Sequence, residues 1–345
     1  MTHLYLTRSD IKLGFSQGQL VVKGSADELE RRLPFCNVES INVFGNPQIS
    51  TQLVRECLLS NVPIGYYSED GHYFGRAVSS DHVDPYRQRR QIMLTCDAGF
   101  CLEWAKLVIK AKIENSLAFL STVGGTYSYS PEETSGMVHS LRYLAQATSV
   151  GEAMGFEGNA AKCYFQCYSK LFSDTDFRFE GRNSRPPKDP INALLSYGYS
   201  FLHRNVIGAI ERHGLHPYFG FMHKIKRGHA ALSSDLIEDY RAFIVDRAVF
   251  GLVHSGDVVP DDFSVQPNGA VYMPRSLMKK VTDLFSRVVA EKVQFHQAYG
   301  DGYQYGFHAA LDKKMLSVIE AIDAGDATLY RPFLWGGYDG ATTES

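Results

Sequence analysis

The sequence predicts an α+β protein, with a β-rich N-terminal domain over residues 1–78 and a larger all-α helical domain over 91–325. Three observations predict it. Apolar and polar residues alternate in short runs between turn signals up to about residue 78. A polar, proline-containing segment at 79–90, SSDHVDPYRQRR, breaks that pattern and reads as a linker. From about residue 91 apolar residues recur at helical spacing, until a Gly-rich polar tail at 326–345.

In the first domain HLYLT, IKLGFSQGQLVVKG, VESINVFG and VPIGYYSEDGHYFGRAV read as strands. SQGQ and EDGH read as hairpin tips, with Glu69 and His72 solvated in the second. One short helix is expected at 50–60, where Leu53, Val54, Cys57 and Leu58 make a stripe. Arg87, Arg89 and Arg90 form a basic run at the boundary, which suits phosphate contact or a solvated helix start.

The second domain opens on a long stripe: Leu94, Cys101, Trp104, Leu107, Val108, Ile113, Leu117 and Leu120. Lys106, Lys110 and Lys112 fall on other positions of that helix, read as a mostly solvated face. TVGGTYSYSPEETSG at 122–136 reads as a loop, with a second helix from about 137 to 149. In MGFEGNAAKCYFQCYSKLF the spacing of Ala161, Phe165, Tyr168 and Phe172 predicts the buried side. Glu157 is read at the entrance of that helix, where the macrodipole alone would favour an acid. Its neighbours Gly155, Gly158, Ala160 and Ala161 leave room for another element or a ligand. GRNSRPPKDP is an Arg-rich loop, suited to phosphate or to salt bridges, and Asp189 or Pro190 starts the next helix. That helix turns Leu195, Tyr199, Leu202, Val206 and Ile210 inward. A further helix, with Leu232, Leu236, Phe243, Val249 and Phe250 inward, runs to about 254, and helical text returns at about 273–323.

Composition bounds the function. The 345 residues are 44% hydrophobic and 21% charged, ordinary for a globular chain with a sizeable core. A net charge of −3 means that a nucleic-acid partner must be held by local basic patches. The six cysteines include no CxxC pair and read as reduced core residues rather than a zinc site. No apolar run reaches membrane-span length and the N-terminus has no signal layout, so a cytoplasmic location with no membrane partner is expected.

Chemistry concentrates in GLHPYFGFMHKIKRGHAALSSDLIEDYRAFIVD, residues 214–246. Asp235 and Glu238 are three apart, hence on one side of a helix, at the edge of its apolar stripe. With His223 they suit a divalent cation, and Lys224, Lys226, Arg227 and His229 crowd the same loop. Acids to hold a metal beside bases to hold phosphates are what phosphodiester chemistry requires. The same spacing is also common on solvated helices.

GRNSRPPKDPINALLSYGYSFL, GLHPYFGFMH and SSDLIEDYRAFIVDR resemble the CRISPR-associated integrase and endonuclease family of spacer acquisition, CRISPR-associated protein one. VESINVFGNPQIST and GFEGNAAKCYF match as well, in the same order, between about residues 10 and 255. The resemblance implies the two-domain fold above, with the β-rich domain serving dimerisation and clamping DNA. It implies a homodimer that works with a dimer of the small CRISPR-associated protein two on double-stranded DNA, namely the spacer precursor and the CRISPR repeat. It implies metal-dependent joining of 3′-hydroxyl ends to the repeat by transesterification, or phosphodiester hydrolysis with water as nucleophile. Carried over position by position, Glu157, His223 and Glu238 are the implied ligands of Mg²⁺ or Mn²⁺, and Asp235 is a further catalytic acid. Arg182, Arg185, Lys224, Lys226 and Arg227 are candidate contacts to the DNA backbone. Ala242 follows Arg241 where many members carry proline, and Glu238 stands where members carry Asp or Glu. The alternatives are a stand-alone metal-dependent nuclease or branched-DNA resolvase, and a non-catalytic DNA-binding scaffold.

Overall fold

The computed structural model describes residues 2–24, 30–69, 73–79, 83–123, 129–291, 293–294 and 304–335. The chain divides into two compact units, Met1–Val83 and Asp84–Ser345.

The first unit carries two small sheets. Strands β1 (Thr2–Leu6), β2 (Lys12–Ser16), β3 (Gln19–Lys23), β4 (Arg31–Pro34), β5 (Val38–Phe44) and β6 (Gln48–Ile49) precede helix α1 (Thr51–Leu59). Strands β7 (Ile64–Tyr67) and β8 (Tyr73–Ala77) follow it. One sheet runs β1-β5-β7-β8 and the other β4-β3-β2-β6. The expected tip at SQGQ is a two-residue turn, with Gln17 and Gly18 both at positive φ and Ser16 opposite Gln19. Glu69 is exposed as expected, while residues 70–72, including His72, lie outside the described residues. Alternation puts Leu13, Leu20, Ile41 and Ile64 into a core that α1 closes with Leu53 and Cys57.

The second unit is mainly helical: α2 (Pro85–Leu94), α3 (Ala98–Val123), α4 (Pro131–Leu144), α5 (Val150–Lys170) and α6 (Pro190–Arg212). After a loop come α7 (Ala231–Ile237), a 3₁₀ turn (Glu238–Tyr240), a π-helical turn (Arg241–Asp246) and α8 (Arg247–His254). Short strands β9 (Ser264–Val265) and β10 (Val271–Tyr272), helix α9 (Arg275–Ala290), strands β11 (Val293–Gln294) and β12 (Gln304–Tyr305) and helix α10 (Phe307–Ala324) complete it. Helix α3 is the central element, packed on α4, α5 and the 238–246 segment, with Trp104, Ile109 and Phe119 fully buried.

Several expectations are corrected. Residues 85–90 of the supposed linker are helix, the first turns of α2, because Asp84 caps the Tyr86 and Arg87 amides at 3.0 and 3.1 Å with Pro85 in the first turn. Arg87 of the basic run is spent on Asp323 of α10, at 2.9–3.2 Å. The second helix starts at Pro131 rather than 137, since Ser130 and Glu133 form a capping box. The buried side of α5 is Ala153, Ala160, Tyr164, Cys167 and Tyr168, rotated from the expected stripe because the Tyr164 hydroxyl is drawn to a buried acid. The unit is not all-α: β9 with β10 and β11 with β12 form two-stranded antiparallel ribbons, the second between α9 and α10.

The expected tail is also corrected. Tyr330 and Phe333 are buried against Trp104 and Tyr240, and the Phe333 and Trp335 amides donate to Asp239 and Asn115 at 2.7 Å each. Aromatic burial outweighs the Gly-rich, polar composition of this stretch. Residues 336–345 lie outside the described residues.

Candidate active site

Six ionisable side chains from α3, α5, the 215–230 loop and the 231–246 segment are linked in the second unit: Lys112, Glu157, His223, Asp235, Glu238 and Arg241. Glu157 lies in the middle of α5, whose N-cap is Ser149, so it is not the helix-entrance acid expected from sequence and the macrodipole does not account for it. Across from it on α3 is Lys112, read from sequence as part of a solvated face. Its ammonium ion-pairs with Glu157 and lies 2.7 Å from Glu238 Oε2. Lys112 follows Val108 and precedes Ser116 by four residues each, on a face that is otherwise buried. That position was the signal available in the sequence.

Glu238 is 4% exposed, against the border position its sequence context suggested. Its Oε1 accepts an ion pair from Arg241 Nη2 at 2.9 Å. Burial opposes its ionisation, yet Arg241, Lys112 and His223 together pull its pKa down to about 2. Lys112 shows the reciprocal effect: burial works against its charge, but Glu238 and Glu157 hold its pKa above the ordinary lysine value. The segment is not one regular helix, so spacing did not set where Glu238 points. Lys314 clamps the adjacent Asp239 through both carboxylate oxygens at 2.6 Å and caps the Leu236 carbonyl at 2.9 Å. Asn115 donates to the Asp239 carbonyl at 2.6 Å. Each of these buried charges therefore has a partner of opposite sign, as burial requires.

Asp235 is fully buried and organises the histidine loop. Its carboxylate accepts the backbone N–H groups of Phe221, Met222 and His223 at 2.7–3.0 Å, and His223 Nδ1–H at 2.8 Å. An acceptor at Nδ1 fixes the neutral ring in the tautomer that leaves Nε2 free, 3.9 Å from Glu238 Oε1. Burial disfavours the imidazolium, but Asp235 and Glu238 outweigh it and raise the His223 pKa. From the other side Gln91 of α2 grips the loop, donating to the His216 and Phe219 carbonyls and accepting the His216 amide. Gly220 passes so close to α7 that an added Cβ would lie 2.5 Å from the Ala231 carbonyl carbon.

Arg241 stacks over the Tyr199 ring at 4.6 Å, above a buried cluster in which Tyr164 and Tyr199 donate to Asp246 at 2.7 and 2.6 Å. Burial raises the Asp246 pKa to about 6, against the pull of those two hydroxyls and of Arg241 and Arg182. Lys112, Arg241, Asp246 and the two tyrosines were all missed by sequence reasoning.

The basic candidates separate. Lys224, Lys226 and Arg227 are exposed on the loop that carries His223. Arg185 is exposed and lies within electrostatic reach of His229, whose ring meets that of His223 edge-on at 6.1 Å. Arg182 has a structural role: its guanidinium bonds Asn192 Oδ1 at 2.8 Å, Ser196 Oγ at 3.1 Å and the Asn183 carbonyl, so it builds the loop ahead of α6. An added Cβ at Gly155 or Gly158 would meet nothing within 4 Å, so the α5 surface beside Glu157 is open.

Two carboxylates and an imidazole nitrogen form a donor set suited to a hard or borderline divalent ion. Among the described residues no three His, Cys, Asp or Glu side chains close on one point as a preformed metal cage. Here the carboxylates share cationic side chains instead.

The arrangement of these elements agrees with the comparisons to known proteins. Residues 4–287 match the family model "CRISPR associated protein Cas1". The CRISPR-associated endonuclease Cas1 of Mycobacterium tuberculosis (strain CDC 1551 / Oshkosh) is 37% identical over 327 residues, covering 94% of this chain and 95% of the relative. A casposase bound to integration product superposes with a TM-score of 0.79 at 22% identity, covering all of this chain and 96% of that one. A Cas6-RT-Cas1–Cas2 complex contains a chain that matches with a TM-score of 0.75 at 21% identity, over 98% of this chain and 36% of its own length. The chain belongs to the CRISPR-associated Cas1 family. No helix among the described residues is long and apolar enough to cross a membrane.

Proposed function

We propose that this chain is the integrase and endonuclease of CRISPR spacer acquisition, joining 3′-hydroxyl ends of captured duplex DNA to repeat DNA by transesterification. The observation that carries the reading is the convergence of Glu157, His223 and Glu238, with Asp235 holding the His223 ring from behind. Family membership supports the class of reaction, as do the relative named an endonuclease and the similar casposase bound to integration product.

Two observations support reading the site as one for a divalent ion, Mg²⁺ or Mn²⁺. Glu238 Oε2 is buried and makes no well-aligned hydrogen bond, its partner being the Lys112 ammonium at 2.7 Å. His223 Nε2 is left free by the Asp235 contact at Nδ1. Glu157, His223 and Glu238 would hold the ion, which when bound supplies Lewis-acid stabilisation of charge at the scissile phosphate. An imidazole donor tilts the preference toward Mn²⁺. Asp235 keeps the ligand tautomer, Arg241 balances the charge of Glu238, and Lys224, Lys226, Arg227 and Arg185 face phosphates of the duplex. The partners of this reading are double-stranded DNA and the small Cas2 protein, with the chain acting as a homodimer. The Cas1–Cas2 complex among the similar structures supports the second partner.

The test is a strand-joining assay with a short 3′-hydroxyl duplex and a supercoiled plasmid carrying a repeat, with and without Cas2, in Mg²⁺, Mn²⁺ or chelator. Joining is expected only with metal, and Glu157→Ala and His223→Ala each lower it about a hundredfold or more. Cleavage of branched DNA without any joining would instead establish the stand-alone nuclease. Undiminished joining by both variants would remove the site from the chemistry.

A further inference from the structure

We infer that Lys112 is a displaceable counter-ion that competes with the divalent cation for Glu157 and Glu238, and so sets how tightly the centre takes its metal. The inference rests on the reading of those two carboxylates as metal donors. Lys112 contacts both of them, and Arg241 takes the other oxygen of Glu238 at 2.9 Å. Two carboxylates facing two cations leave the centre balanced before any metal arrives. A divalent ion needs the oxygens that Lys112 holds, and an ammonium sharing those oxygens with a divalent ion would be strongly repelled at such separations.

Of the two cations Lys112 is the one free to leave. It is a point charge on a flexible four-carbon stem, and its side chain is 17% exposed, so an outward path exists. Its backbone is pinned as part of α3, where Ser116 donates to its carbonyl at 2.8 Å. The Arg241 guanidinium is held by Glu238 and by the Tyr199 face at 4.6 Å, which fixes it in plane. Lys112 thus neutralises the centre in the resting protein and gives up the carboxylates to the cation in the loaded one.

The test is Mn²⁺ binding to the full-length, metal-free protein, followed by calorimetry and by the Mn²⁺ paramagnetic resonance signal, for wild type, Lys112→Met, Lys112→Arg and Glu157→Gln. Lys112→Met is expected to bind Mn²⁺ about ten- to a hundredfold more tightly than wild type, the equivalent of one lost charge-assisted contact. Lys112→Arg keeps the charge and binds no more tightly than wild type. A second measurement needs no variant: the rate at which an amine-specific acylating reagent modifies Lys112, read by mass spectrometry, rises on addition of Mn²⁺. Equal or weaker Mn²⁺ binding by Lys112→Met, with binding still abolished in Glu157→Gln, overturns the inference and leaves the metal reading standing. An unchanged or lower rate of Lys112 modification with Mn²⁺ bound also overturns it. Absence of Mn²⁺ binding in both wild type and Lys112→Met removes the metal reading itself, and the inference with it.

Discussion

Asp246 shows how much a single residue can carry that its sequence context conceals. In the chain it is an acid after the apolar run FIV, an ordinary edge position. In the fold it is 1% exposed, bonded by Tyr164 and Tyr199 and, through its carbonyl, by Tyr168 at 3.0 Å. Burial keeps its proton on up to about pH 6, whereas an unfolded aspartate releases it near 3.8. Between those values the folded chain binds more protons than the unfolded one, so this residue's contribution to stability is present below pH 3.8 and is lost as pH rises through 6. Asp246→Asn removes that dependence. The stability difference between wild type and Asp246→Asn is therefore expected to shrink by roughly 1–3 kcal/mol between pH 4 and pH 7, measured by denaturant unfolding. A difference that stays level or grows with pH contradicts this account of the cluster. His223, Glu157, Asp235 and Glu238 were legible because their motifs are long. Their cationic partners Lys112 and Arg241 were not, because a lysine or arginine on a helix reads as solvated until the facing element is known.

At the scale of elements, regular helices with strong caps were the readable part. Asp189 and Pro190 start α6 where expected, and Leu195, Tyr199, Leu202, Val206 and Ile210 are all buried. The 231–254 segment was misread as one helix because its apolar content is continuous while its backbone passes from α to 3₁₀ to π and back. Asn115, Lys314 and Phe333 hold that irregular path from residues distant in sequence, and no local pattern announces them. A π turn beside a reactive centre is a common device for aiming side chains. The loop before it depends on close approach: Gly220→Ala places a methyl 2.5 Å from backbone atoms of α7. This change is expected to cost about 1–3 kcal/mol, as overpacking does, and to lower strand joining by shifting His223. Gly158→Ala, in an open stretch of α5, is expected to raise stability by up to about 1 kcal/mol. Thermal unfolding of the two variants checks both signs.

At the scale of the whole molecule, the division into a β-rich and a helical unit was visible in the change of periodicity, though α2 makes the second half of the supposed linker a working part of the second unit. The C-terminal segment was not legible: Tyr330 and Phe333 sit in a Gly- and Pro-containing stretch whose composition resembles a tail, and only packing shows that they close the core over α3. The result is a helical unit in which Glu157, His223 and Glu238, from three separate elements, are linked through Lys112 and by the 3.9 Å approach of His223 Nε2 to Glu238 Oε1. That these three act as one centre on DNA is the central claim. The most direct measurement is single-turnover strand joining by Glu157→Ala, His223→Ala and the double variant, with Cas2 and Mn²⁺ present. Residues that serve one centre lose activity non-additively, so the double variant is expected to be no slower than the worse single one, within about threefold. Losses that multiply in the double variant, or a single variant that joins at the wild-type rate, would contradict a shared centre.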